Sequence, residues 1–294
     1  MKEIDEQLTQ AKELWDDGKQ AKAIQILEEL DEKTPTTQVA ELLNHFYVAN
    51  QQYSEALQLV ANQSTNFLHH PGVFADYLGA LIATNNFIVA WKTLVSADQQ
   101  MKTPAMVTRL EEAEVRYQED FPQSVRADER HFYHLGDRQL ADQIKAIKQA
   151  YHLPQKNYIR AASFNLVDPY LNQLTRVSIL KDLVDLRVER ELDFIWLDEK
   201  SYRVVPAQID ASRLRKELMR LIEQSADPVQ AELLIQQAGL MYDLAFPFPE
   251  RVFATATGWL AALQAQFLAG KEVKQFHSLN KIMNSIMTCL LYTS

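Results

Sequence analysis

Three alanines, Ala23, Ala56 and Ala90, recur at spacings of 33 and 34 residues, each inside a helical pattern that ends in a turn. A period of this length belongs to a helix–turn–helix unit that buries its apolar face against copies of itself. The demand at each alanine is steric: where the second helix of a pair crosses the first, only a small side chain lets the backbones approach. The first unit reads AKELWDDGKQAKAIQILEELDEKTP. It carries Ala11 and Leu14 on the first helix, Gly18 in the turn, Ala23, Leu27 and Leu30 on the second helix, and Pro35 at its end. The second unit reads LLNHFYVANQQYSEALQLVANQ and the third FADYLGALIATNNFIVAWKTLVSADQQ, with Tyr53 and Phe87 each three residues before the alanine. Generic amphipathicity does not require that recurrence.

These units resemble the tetratricopeptide-repeat (TPR) family, whose pattern sets a small residue and an aromatic in the first helix and alanine in the second. The chain is similar to TPR-containing cytoplasmic proteins of low-GC Gram-positive bacteria. Asn44 and Leu78 stand where that pattern wants a small residue, although Gly79 is adjacent to Leu78. The resemblance implies a right-handed solenoid and a non-catalytic scaffold that binds a peptide or protein on the concave surface lined by its first helices. Here those helices offer Asp5, Lys12, Asp16, Glu41, His45 and Asp76. The family's carboxylate clamps use lysines and asparagines at such places. A mostly acidic groove with Lys12 as its lone cation instead suits a basic or amphipathic segment.

The rest of the chain reads as helix nearly throughout, because only 7 glycines and 10 prolines interrupt 294 residues. The fold class expected is all-α: TPR hairpins followed by HEAT-like helices with one small β-hairpin. The array spans 1–122, in units of about 4–36, 37–70 and 71–104 with a capping helix at 105–121. A segment at 123–207 ends in the hairpin, and a further helical segment covers 208–288. The hairpin is expected at about 191–206, where Leu192, Phe194 and Trp196 alternate with Asp193, Ile195 and Leu197 ahead of a polar turn. No apolar run approaches the roughly 18 residues of a membrane span, and the acidic start MKEIDEQLTQ is unlike a secretory signal. A cytoplasmic protein is expected. The terminal string CLLYTS, which holds the one cysteine, Cys289, resembles a translated sequencing adapter, so 289–294 is set aside as a scar on a truncated chain.

Charge narrows the partner. Residues 1–33 hold 5 basic and 10 acidic side chains, which repel nucleic-acid phosphates. Helices followed by a hairpin also describe a winged-helix module, so the alternative is a DNA-binding regulator with that module at 137–206 and a TPR sensor. Asn172, Gln173, Arg176 and Lys181 would then contact DNA. With 11 basic and 10 acidic side chains, that stretch lacks the net basic face DNA binding needs. An array continuation instead predicts surface ion pairs of Arg176 and Lys181 with Asp182 and Asp185.

Catalytic signatures are missing: there is no Walker loop, no Gly-x-Gly-x-x-Gly and no Gly-x-Ser-x-Gly elbow. Asp128, His131 and His134 are spaced to share one helical face, but zinc needs three or four ligands in a closed geometry. Neither an enzyme, nor a bound metal, nor a cofactor is expected.

Overall fold

The computed structural model describes the backbone of residues 2–210, 212–225 and 227–291, with side chains described except at 2, 3, 65 and 285–291. Cys289 and the reading of 289–294 therefore fall outside the described side chains. Among the described residues the protein is mostly α, with a single two-stranded sheet, and no helix is long and apolar enough to cross a membrane. Two compact units are present, residues 1–122 with 151–155, and 123–150 with 156–294.

The first unit runs α1 (Lys2–Asp16), α2 (Gln20–Lys33), α3 (Thr37–Ala49), α4 (Tyr53–Asn62), α5 (Pro71–Ala83), α6 (Phe87–Ser96) and α7 (Pro104–Asp120). Each helix packs on the next, and α3 also packs on α5. Ala11, Ala23, Ala56 and Ala90 have no exposed surface. The core is shared between hairpins: Leu8, Ala11, Ala23 and Leu27 join Val39, Leu43, Phe46 and Ala56 in one cluster, where Trp15 stacks on Phe46 at 4.0 Å between ring centroids. One hairpin alone could not bury those side chains.

The same turn closes all three hairpins. Gly18, Gln51 and Asn85 adopt left-handed backbone with φ of 76°, 63° and 57°. After the first helix, their N–H groups donate to Trp15, Val48 and Ile82 carbonyls, and the next residues, Lys19, Gln52 and Asn86, donate to Leu14, Tyr47 and Leu81. This double bond is the Schellman arrangement, which satisfies carbonyls that a helix end leaves open. Five residues after each left-handed residue stands the buried alanine, whose N–H donates to Lys19, Gln52 or Asn86. Residues 151–155 belong with this unit: Tyr151 O accepts from Ile88 N, and Gln155 N donates to Glu114 Oε1 at 2.7 Å. The same carboxylate oxygen accepts from Trp91 Nε1 at 2.8 Å.

The second unit holds α8 (Pro122–Tyr133), α9 (Leu140–Ala150), α10 (Gln155–Asn165), α11 (Gln173–Asp185), the strands β1 (Leu192–Ile195) and β2 (Ser201–Val204), and α12 (Ser212–Ser225). There follow α13 (Pro228–Ala245), the single turn α14 (Pro249–Val252), α15 (Ala256–Leu263) and α16 (His277–Leu291). Its main core gathers Leu218, Leu234, Met241, Tyr242 and Phe276 around Trp259, whose Nε1 donates to Pro249 O. The strands pair antiparallel with Phe194 opposite Tyr202. Leu192, Phe194 and Trp196 point inward, and Trp196 Nε1 donates to Ala245 O at 2.9 Å. Arg251 of α14 lies 4.4 Å from the Tyr202 ring centroid and 4.5 Å from that of Phe248, which fastens the hairpin by cation–π contact. Gly136 permits a close approach, since a Cβ there would meet Asp168 Oδ2 at 2.3 Å.

Several expectations need correction. The helix that carries the proposed DNA contacts begins only at Gln173, because Asn172 Oδ1 caps Leu174 N and Arg176 holds the preceding turn through the Asp168 and Leu171 carbonyls. Arg176 is thus buried rather than part of a surface ion pair, and burial lowers its pKa to about 10. Lys181 pairs at 2.8 Å with Asp243, and Asp182 is buried, accepting from Tyr158 Oη at 2.6 Å. Of the side chains named as DNA contacts, Gln173 and Arg176 are buried and Asn172 is spent as a cap. Within the helical segment expected over 208–288 the chain breaks between Val252 and Ala256, where Thr255 Oγ1 accepts from Gly258 N and caps a new start.

Two substitutions test the hairpin geometry by urea unfolding. Ala56→Leu should destabilise by ~1–3 kcal/mol through overpacking at the crossing. Gln51→Gly should instead stabilise, by about 0.5–1 kcal/mol, because glycine adopts the left-handed turn without Cβ strain. If Gln51→Gly costs stability, the turn is not the strained element described.

Candidate functional site

Three helical faces converge in the first unit. On α2, Glu28, Asp31 and Glu32 are spaced i, i+3, i+4; on α4, Glu55, Gln58, Leu59 and Asn62 are spaced i, i+3, i+4, i+7. Such spacing puts each set on one side of its helix. Between them α3 presents Leu43 and Tyr47, one turn apart. Together these residues line a groove of about 410 Å³. Its floor is apolar and its rim carries four carboxylates, while none of the lining residues is basic.

Burial shapes the chemistry of that rim. Tyr47 is buried and its hydroxyl donates to Glu28 Oε1 at 2.8 Å. Desolvation first, and then the Glu28 hydrogen bond and charge, push the phenol well above its ordinary value, so it remains a donor at every physiological pH. Desolvation also raises the carboxyl of Asp31, whose Oδ1 is buried and accepts no hydrogen bond. A carboxylate oxygen in that position gains from a cation that brings its own N–H donors.

The residues singled out from the sequence occupy the first helices. Asp5, Lys12 and Asp16 are exposed along α1, at spacings that share a face. Glu41 and His45 lie one turn apart on α3, and Asp76 lies on α5. His45 Nδ1 is 3.0 Å from Asp76 Oδ2, and His70 Nδ1 is 2.6 Å from Glu41 Oε1. The structure therefore brings Glu41, His45 and Asp76 together with His70, and the acids of this group already have imidazole partners. Glu28, Asp31, Glu32 and Glu55 were not singled out as a groove. The usable signal was the i, i+3, i+4 run of acids on α2 opposite Glu55, which reads equally as a solvated helix surface.

Asp128 accepts from Gln149 Nε2 at 3.2 Å, His131 is exposed, and His134 lies 3.7 Å from Asp137. Among the described residues no group of three or more histidines, cysteines or acids could hold a metal ion. No family model, curated protein or solved structure matches the chain.

The raised carboxyl of Asp31 has a definite pH signature. Its folded-state pKa lies above its unfolded value, so the native state binds more protons in the window between them, and stability contributed by this group falls as pH rises through that window. Asp31→Asn should therefore be more stable than the parent at pH 7.5, with the difference shrinking toward pH 4. Paired urea titrations at the two pH values check this; a difference that grows on acidification contradicts it.

Proposed function

We propose that residues 1–122 form a right-handed TPR-like array and act as a non-catalytic scaffold, holding a basic amphipathic segment of a partner protein in the acidic groove of α2, α3 and α4. The observation that carries this reading is the turn repeated at Gly18, Gln51 and Asn85, with the same two hydrogen bonds and the same buried alanine each time. Hairpins closed by the same turn and packed each on the next supply a rigid surface whose side chains can vary without altering the frame. The groove supports the choice of partner. Its apolar floor of Leu43, Tyr47 and Leu59 suits aliphatic side chains, and the surrounding carboxylates suit lysine or arginine.

Placing the site between α2 and α4, across Leu43 and Tyr47 of α3, departs from the surface along the first helices that the family resemblance implies. On that surface Glu41 and Asp76 are occupied by His70 and His45. In the groove, the buried Asp31 oxygen still lacks a donor. Charge complementarity there speeds encounter and selects sign, while the apolar floor supplies contact area.

Fluorescence anisotropy with a labelled Lys/Leu amphipathic peptide tests the reading. Affinity should fall several-fold between ~50 and ~300 mM salt as screening shortens the reach of the carboxylates. Glu28→Lys combined with Glu55→Lys should abolish binding, and Asp5→Lys combined with Asp16→Lys should leave it nearly unchanged. Loss of binding only in the α1 variant would move the partner to the first-helix surface. No binding of the cationic peptide, or equal binding of an acidic one, would overturn the proposal.

A further inference from the structure

The second unit contains a pocket of about 580 Å³ between the start of α11, the end of β1 and α16, and its lining includes Leu171, Gln173, Arg176, Trp196, Ser278 and Lys281. Two of these side chains are unusual. Arg176 is 4% exposed, yet no carboxylate accepts from its guanidinium: Nη1 donates to Gln173 Oε1 at 2.7 Å and to Ile195 O at 3.4 Å, and Nη2 donates to the Asp168 and Leu171 carbonyls at 2.6 and 2.9 Å. Its Nε is buried and has no acceptor. Gln173 is 7% exposed, and its Nε2 is buried without an acceptor as well.

The orientation of Gln173 is fixed chemically. A guanidinium has donors only, so the amide atom facing it must be the oxygen, and the amide nitrogen is left as a second unfilled donor. Both unfilled groups are therefore donors, and both belong to side chains that line one pocket. Lys281 adds an ammonium and Ser278 a hydroxyl. Glu199 is the one acid in the lining, and Asp168 acts on Arg176 through its charge. Apolar side chains, Leu171, Trp196 and Ile282 among them, form much of the remaining wall.

We propose that this pocket binds a small monocarboxylate with an apolar body. The carboxylate would pair with Lys281 and accept from Ser278 Oγ, with the positive field of the buried Arg176 guanidinium behind it, and the hydrocarbon or aromatic part would lie along Trp196 and Leu171. A single delocalised negative charge with two acceptor oxygens matches two donors. The negative fields of Asp168 and Glu199 disfavour a dianion such as a phosphate monoester. The volume is in the range of small-ligand pockets, about 300–1,000 Å³.

The test uses the full chain at fixed ionic strength, with hexanoate and phenylacetate as probes, their neutral amides as controls and inorganic phosphate as a separate arm. Calorimetric titration should give saturable millimolar or tighter binding of the carboxylates and at least ~10-fold weaker binding of the amides. Lys281→Glu, a change at an exposed position that leaves the fold intact, should weaken the carboxylates ~10-fold or more without affecting the amides. Carboxylates and amides binding alike, Lys281→Glu binding hexanoate as well as the parent does, phosphate binding more tightly than hexanoate, or no saturable response to either carboxylate would each overturn the proposal.

Discussion

The close crossing of paired helices at Ala23, Ala56 and Ala90 governs the first unit. A crossing this tight is possible only if the chain reverses within a few residues, and the left-handed residue at Gly18, Gln51 or Asn85 supplies that reversal. The turn and the crossing thus impose each other. Schellman bonds fix where the first helix stops, the second helix begins with its first hydrogen bonds in a set register, and the alanine arrives at the contact point. Stacking follows because Leu27, Leu43 and Phe46 stay apolar on a face that one hairpin cannot cover.

In the second unit an arginine takes the organising place that small residues hold in the first. Arg176 gathers the Asp168 and Leu171 carbonyls and Gln173 Oε1, so the irregular chain between α10 and α11 is tied to the helix that follows it. Burying a cation this way is costly unless its donors are filled. Four acceptors and the field of Asp168 offset part of that cost, and burial still lowers the pKa to about 10. The Arg176 Nε and the Gln173 amide nitrogen remain buried without acceptors beneath the pocket wall that both side chains help to form.

Sequence legibility follows from how each feature is encoded. The small crossing residues were readable because sterics leaves few choices, and the hairpin at Leu192, Phe194 and Trp196 was readable from its alternation. The left-handed positions were readable only at Gly18. Asn85 tolerates left-handed backbone but reads as an ordinary polar residue without glycine's signal, and at Gln51 tertiary packing overrides the local preference. Arg176 illustrates the opposite difficulty. Charge alone places an arginine at the surface, and nothing local reveals that three acceptors await it from residues 168–173. The acidic groove was hidden for a related reason, since carboxylates around a concavity and carboxylates on a solvated helix have the same spacing.

The second hairpin, which supplies most of the groove, is also where local rules are most often broken. Gln51 takes the left-handed turn that glycine or asparagine takes in the other two. Asn44 stands at a small-residue position, fully buried, with neither its oxygen nor its nitrogen hydrogen-bonded. Leaving such groups unmatched costs about 1–3 kcal/mol. Next to this hairpin, Asp31 holds a desolvated carboxylate oxygen without a donor. The flanking hairpins show fewer such violations: Gly18 suits its turn, and Ala11 fills the small position in α1. Departures of this kind survive where the rest of the fold compensates for them, and they concentrate where a surface serves a purpose other than stability. Their location on α2, on α3 and in the turn that leads to α4 is a reason, independent of charge, to place the partner there rather than along α1.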